Sequence, residues 1–265
     1  MDPDLDESTL PSPPQRPRRR GVYLLPNLLT TGTLFGGFYG IVAAIDGLFL
    51  QAAVGVFLAG VLDGLDGRVA RLTHTQSDFG REYDSLADMV SFGLAPALIV
   101  YLWGLRELAY FGWHWGQVGW LAAFVYAVGA ALRLARFNTQ SSDISRRYFV
   151  GLPSPAAAAV VTGLVWVCAD SGISGVSMSI PAALVTASAG ALMVSSIRFY
   201  SFKEIKLAEP VPFRYLLIMV GGVILIAFKP PLVLFLCFFG YMLTGVVQAV
   251  LRRRRRKNHS PIDQG

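Results

Sequence analysis

Charge is what this sequence has least of: 15% of its 265 residues are Asp, Glu, Lys or Arg, against about 25% in soluble domains. The shortage is concentrated in long uncharged runs, which excludes an ordinary water-soluble globule. Cysteine is almost absent as well, and both copies, Cys168 and Cys237, sit inside apolar runs. Neither a disulfide framework nor a cysteine-rich metal site can be built from them, so they read as small buried hydrophobes. No short apolar core with a small-residue cleavage site follows the acidic N-terminal residues, so no secretory signal is expected.

What is present is apolar sequence in lengths that suit a bilayer. A hydrocarbon core about 30 Å thick needs roughly 20 mostly apolar residues per helix. Eight stretches are candidates: Val22 to Ile45, Gly47 to Leu62 with helical continuation past Asp63, Met89 to Leu105, and Leu108 to Leu132, then Tyr148 to Ala169, Ser171 to Ile197, Tyr215 to Phe228, and Pro230 to Leu251. An even number of spans puts both ends on one side, and basic residues gather on the cytoplasmic side of such proteins. Of the 23 basic residues, only Arg106 and Lys229 fall on the other side under this count. The expected fold is therefore an all-α, polytopic membrane helical bundle of eight spans, with both termini cytoplasmic. Residues 1–21 and 252–265 read as cytoplasmic tails, the second carrying a basic run from Arg252 to Lys257. That run also suits attraction to anionic lipid headgroups.

Against this apolar background, Asp63, Asp66, Asp84 and Asp88 lie at the predicted cytoplasmic ends of spans two and three. Ionisable residues near or within spans are costly and by default functional. Asp63 and Asp66 are three residues apart and Asp84 and Asp88 four apart, so each pair shares a helix face. Two such pairs meeting across a turn would repel one another unless cations were present. Carboxylate oxygens suit Mg²⁺, Mn²⁺ or Ca²⁺ rather than zinc. Gly67 and Gly80 remove side chains where a ligand or backbone must come close, Ala70 keeps that face open, and Arg71 adds a cation. Metals, an arginine and small residues together form a site for phosphate oxygens. His74, in the intervening loop, reads as a solvated histidine.

These eight residues, Asp63, Asp66, Gly67, Ala70, Arg71, Gly80, Asp84 and Asp88, reproduce the pattern D-x2-D-G-x2-A-R-x8-G-x3-D-x3-D. The sequence thereby resembles the CDP-alcohol phosphatidyltransferase family. The resemblance implies a six-helix membrane core that transfers the phosphatidyl group of a CDP-lipid to an alcohol and releases CMP. It implies two divalent cations, Mg²⁺ or Mn²⁺, held by Asp63, Asp66, Asp84 and Asp88, with Asp88 as the base. Gly67, Ala70, Arg71 and Gly80 would cradle the CDP moiety, and a homodimer is implied too. The core would occupy residues 22–200, leaving 201–251 as an added pair of C-terminal transmembrane helices.

The acceptor has to be sought elsewhere. ALRLARFNT from Ala130, YFVGLPSPAAAA from Tyr148 and PNLLTTGTLFGG from Pro26 resemble the bacterial CDP-diacylglycerol serine O-phosphatidyltransferases. Asn27 and Thr30 would then lie near the nucleotide. Arg133 and Arg136, one helical turn apart, would meet the serine carboxylate or the donor phosphate through a bidentate fork, with Ser154 close by. The expected partners are CDP-diacylglycerol, L-serine and the bilayer, with no nucleic acid, in the inner membrane of a bacterium. Glycerol 3-phosphate or another alcohol is the alternative acceptor, and a divalent cation transporter the alternative class. Gly32, Gly36 and Gly40 recur every fourth residue, which favours close helix packing within the chain. His114 with Trp113, Trp115 and Trp120 reads as an aromatic belt at the outer interface.

Overall fold

A computed structural model describes residues 24–73, 77–139, 148–200 and 213–258. The expected N-terminal tail, His74, Arg146, Arg147, Lys203 and Lys206 lie outside the described residues. Within them the order is α1 (Leu24–Ile45), α2 (Phe49–Leu72), α3 (Asp78–Asp88), a π-helical turn (Met89–Leu94), α4 (Ala95–Trp103), a 3-10 segment (Leu105–Phe111), and α5 (Trp113–Thr139). There follow β1 (Tyr148–Val150), α6 (Ser154–Asp170), α7 (Gly175–Val194), β2 (Arg198–Tyr200), α8 (Phe213–Phe228) and α9 (Pro230–Asn258). Six helical segments are long and apolar enough to cross a membrane, and Ser154–Asp170 and Met219–Phe228 are shorter apolar helices. Outward faces carry large apolar side chains such as Phe35, Phe38, Leu58, Trp120 and Phe124, as a surface solvated by lipid tails requires. The protein is an all-α polytopic membrane bundle.

Small residues set the first contact. A Cβ on Gly36 would lie 2.8 Å from the Gly55 carbonyl oxygen, and one on Gly40 would lie 3.0 Å from that of Ala52. The glycine stripe of α1 is thus used inside the chain, against α2, and closes the α1–α2 hairpin. Gly47, at φ 77°, supplies the left-handed residue that the turn requires.

The rod from Asp78 to Trp103 is continuous but not regular. Pro96 has no N–H to offer the carbonyl of Phe92 four residues earlier, and the helix widens into the π turn just before it. The Tyr126 hydroxyl of α5 donates to the Phe92 carbonyl at 2.9 Å, and Ser91 Oγ donates to the Thr33 carbonyl at 2.8 Å. Both neighbours thereby tie down the irregular turn that immediately follows Asp88.

Helix α6 departs from the expected span, which was to begin at Tyr148. Residues 148–150 instead pair antiparallel with 198–200, Phe149 opposite Phe199, and the helix starts only at Ser154. Gly151 takes φ 84°, its N–H donates to the Ile197 carbonyl at 2.8 Å, and Leu152 N–H donates to that of Leu192 at 3.0 Å. Pro153 and Pro155 suit a helix start and cannot continue one backwards. At 17 residues α6 is short for a bilayer, yet most of its surface is buried among other helices, so its irregular entry faces protein rather than lipid. The expected sixth span likewise ends early, at Val194, because 198–200 are needed for the clip. Helix α5 starts later than expected, after Gly112 at φ 120°, and runs on to Thr139. Helix α9 packs along α6, where Phe235 covers Gly163, while α8 packs against α9. The backbone from Arg252 to Lys257 continues α9 to Asn258.

Overpacking a close helix contact costs about 1–3 kcal/mol, so Gly36→Ile is expected to lower the midpoint of thermal unfolding in detergent by several degrees. Gly221→Ala, at a helical position where a Cβ would meet nothing within 4 Å, should leave it unchanged or raise it. Fluorescence-detected unfolding of both variants checks the pair.

Candidate active site

The C-terminal half of α2 and the second half of α3 carry the aspartates, and three other helix ends meet them. Carboxylate oxygens of Asp63, Asp66 and Asp84 all lie within 4.8 Å of one another. Asp88, one turn beyond Asp84, stands outside this trio yet close enough to Asp63, Asp84 and Asp66 to be repelled by each, and to Arg133 to be attracted. Asp66 is 4% exposed, and its Oδ2 accepts a hydrogen bond from Thr30 Oγ1 of α1 at 2.9 Å. At an effective dielectric of 20, like charges 4 Å apart repel by about 4 kcal/mol. That hydroxyl and the Gly67 backbone N–H, which also bonds Asp66, cannot offset three such repulsions.

Buried polar atoms nearly always have partners. The exceptions among the described residues are Asp84 Oδ1, Asp88 Oδ1, Arg133 Nε and Thr186 Oγ1, and three of these belong to this one site. Two are carboxylate oxygens and one is a guanidinium nitrogen, so something carrying both positive and negative charge completes the arrangement. The donor set is all carboxylate oxygen, which fits a hard divalent cation.

The expected glycines occupy two different settings. A Cβ on Gly67 would meet no protein atom within 4 Å, so packing does not require glycine there and room for a ligand is left. A Cβ on Gly80 would lie 3.1 Å from Ser77 Oγ and 3.5 Å from Asn27 Oδ1, and Gly80 N–H donates to Ser77 Oγ at 3.0 Å, capping α3. Asn27 is thereby placed beside the first turn of α3. Ala70 is half-buried and Arg71 exposed at the end of α2, and Arg71 forms no ion pair among the described residues.

On the far side, Arg133 of α5 reaches the first turn of α6, where its Nη1 donates to the Ser154 hydroxyl at 2.6 Å. Arg136, half-buried one turn later, has no ion-pair partner among the described residues. Six other side chains join the site's frame. Thr31 and Tyr83 share a hydroxyl hydrogen bond at 2.9 Å, and Asn138 Nδ2 donates to Ser85 Oγ at 3.0 Å, which ties the end of α5 to α3. Tyr126 and Tyr241 both lie near Arg133. Asn138 was open to inspection as a polar residue ending an apolar helix. Tyr241, a hundred residues beyond Arg133 on a different span, carried no such signal.

A family model for CDP-alcohol phosphatidyltransferase matches residues 23–194. A CDP-diacylglycerol–serine O-phosphatidyltransferase of Helicobacter pylori strain 26695 is 36% identical over 231 residues, covering 86% of this chain and 91% of that protein. The enzyme of the same name from Bacillus subtilis is 32% identical over 180 residues, 68% of this chain and 92% of its own. That from Mycobacterium bovis is 41% identical over 158 residues, 57% of this chain and 52% of its own.

Because the carboxylates destabilise one another, Asp84→Asn should raise the unfolding midpoint measured in chelator and shrink the further rise given by Mn²⁺. For the native chain that rise corresponds to about 2.7 kcal/mol at one hundred times the dissociation constant. An Asp84→Asn protein that is less stable in chelator yet equally stabilised by Mn²⁺ would exclude a metal-completed cluster.

Proposed function

From the premise that this chain belongs to the CDP-alcohol phosphatidyltransferase family, we propose that it transfers the phosphatidyl group of CDP-diacylglycerol to the hydroxyl of L-serine. The products are phosphatidylserine and CMP. The relatives named for this reaction support the donor and the acceptor. The observation that carries the site assignment is that two unpartnered carboxylate oxygens, of Asp84 and Asp88, and the unpartnered guanidinium nitrogen of Arg133 belong to side chains close enough for Asp88 to feel both of the others.

Asp63, Asp66, Asp84 and Asp88 would hold two divalent cations, Mg²⁺ or Mn²⁺. Bound there, such ions offset the charge of a diphosphate and of its leaving group. Asp88 accepts the proton of the serine hydroxyl as the oxygen bonds to the β-phosphorus. The bond from that phosphorus to the oxygen of CMP breaks, and its electron pair departs with CMP. An aspartate is a weak base for an alcohol, so Asp88 depends on the neutralisation of the phosphate beside it. Asn27, Thr30, Gly67, Ala70, Arg71 and Gly80 line the nucleotide side, with the open space at Gly67 in support. Arg133 and Arg136 receive the serine carboxylate or a donor phosphate, and Ser154, bonded to Arg133, fixes the fork that does so.

Residues 22–200 would form the catalytic core, 201–251 an added helix pair, and the two ends tails. The protein would lie in a bacterial inner membrane with both ends and the site cytoplasmic, as the distribution of basic residues supports, and would pair as a homodimer. An ion path would need carboxylates in broken helices midway through the bilayer. Here they face one another from the C-terminal half of α2 and the second half of α3, beside the arginines that the distribution of basic residues assigns to the cytoplasmic side.

Asp88→Asn is expected to keep binding CDP-diacylglycerol while CMP release falls about 10²- to 10⁴-fold. Release assayed with L-serine, glycerol 3-phosphate and inositol phosphate in parallel checks the acceptor as well. Near-native turnover by Asp88→Asn would remove it as the base, and release only with a phosphorylated alcohol would replace serine.

A further inference from the structure

Arg133 is reached from two neighbouring helices, and one of them lies outside the family core. Its Nη1 donates to Ser154 of α6 at 2.6 Å, while its Nε is buried without a partner. Asp88, Tyr241, Asp63 and Tyr126 are the titratable groups close enough to act on it. Tyr126 stands two turns back on α5, and its hydroxyl proton is already given to the Phe92 carbonyl. Tyr241 comes from α9, beyond residues 23–194.

Packing sets Tyr241 at that level. Phe235 of α9 lies over Gly163 of α6. Phe238, a turn further on, leans on Phe57 of α2 with ring centroids 6.4 Å apart, and Trp166 of α6 leans on the same ring at 5.3 Å. Tyr241 is six residues past Phe235, roughly 9 Å along the helix at 1.5 Å per residue, and there its ring meets Phe199 of β2 at 5.6 Å. A Cβ on Gly245 would collide with that same Phe199 ring, so the next turn of α9 also closes on the strand. Because β2 pairs with β1 and β1 sets where α6 begins, one clip places both Ser154 and Tyr241 around Arg133.

A base takes a proton that lies within hydrogen-bond reach, so the acceptor hydroxyl sits at Asp88. In L-serine two carbons separate that hydroxyl from the carboxylate, and Arg133 is the cation beside Asp88. A guanidinium fork grips a carboxylate through both oxygens when its plane is fixed. We propose that Tyr241 is a positioning residue: with Ser154 it holds the Arg133 guanidinium in the plane that receives the acceptor carboxylate, which makes α9 part of the acceptor side of the site. The proposal rests on the serine reading above.

Tyr241→Phe keeps the ring on Phe199 and removes the hydroxyl alone. Assayed as the full chain in lipid nanodiscs, it is expected to raise KM for L-serine about tenfold, the effect of one hydrogen bond to a charged group, with much smaller changes in kcat and in KM for CDP-diacylglycerol. A native KM for L-serine in Tyr241→Phe, with losses confined to a less stable Tyr241→Ala, would reduce Tyr241 to packing and overturn the proposal.

A second variant shows whether Tyr241 acts through Arg133. Arg133→Lys keeps the charge and loses the fork, so adding Tyr241→Phe to it should raise KM little further. Losses that multiply in the double variant would overturn the proposal. If the native chain releases CMP with a phosphorylated alcohol and not with L-serine, the serine reading fails on its own. The same cycle run with that alcohol then decides Tyr241 separately: non-additive losses would uphold its hold on Arg133, and multiplied losses would refute it.

Discussion

Carboxylates crowded in an apolar bundle repel one another, and the structure is arranged around that repulsion. With three of them sharing a space less than 5 Å across, cations bound there would offset the repulsion. Polar support is sparse, since Asp66 is bonded by the Thr30 hydroxyl and the Gly67 N–H while Oδ1 of Asp84 and of Asp88 is buried without a partner. A richer set of protein donors would stabilise the carboxylates alone and weaken their hold on metal. Left unsatisfied, their lone pairs are available to a hard divalent cation.

The rest of the bundle keeps that strained cluster in place. Close packing of α1 on α2 brings Thr30 to Asp66, and the π turn after Asp88 is held by Tyr126 and Ser91. Irregular backbone within a membrane is tolerated where protein buries it, and here it lies against α1 and α5. The clip of β1 and β2 serves a similar end at the opposite wall, since it sets where α6 begins and so where Ser154 meets Arg133.

Much of this was legible in the sequence because the features concerned are local. Helix period places Asp63 with Asp66 and Asp84 with Asp88, and the glycine stripe of α1 announces close packing. The features that escaped are those that join distant segments. Nothing near Tyr148 indicates a strand, because its partner lies fifty residues away and three residues make no pattern. Apolarity alone marks α9 as a span, and only tertiary packing brings Tyr241 toward Arg133 and Phe238 toward Trp166. Gly67 was visible as a signature residue, whereas the open space beside it among the described residues is a property of the folded chain.

The central claim is that the aspartate cluster is completed by divalent cations. Mn²⁺ titration of the purified protein, followed by electron paramagnetic resonance, tests it most directly. The account predicts two bound ions close enough to couple magnetically, with the coupled signal lost in Asp84→Asn. One isolated ion, or none, in a protein that still releases CMP on addition of serine would contradict it.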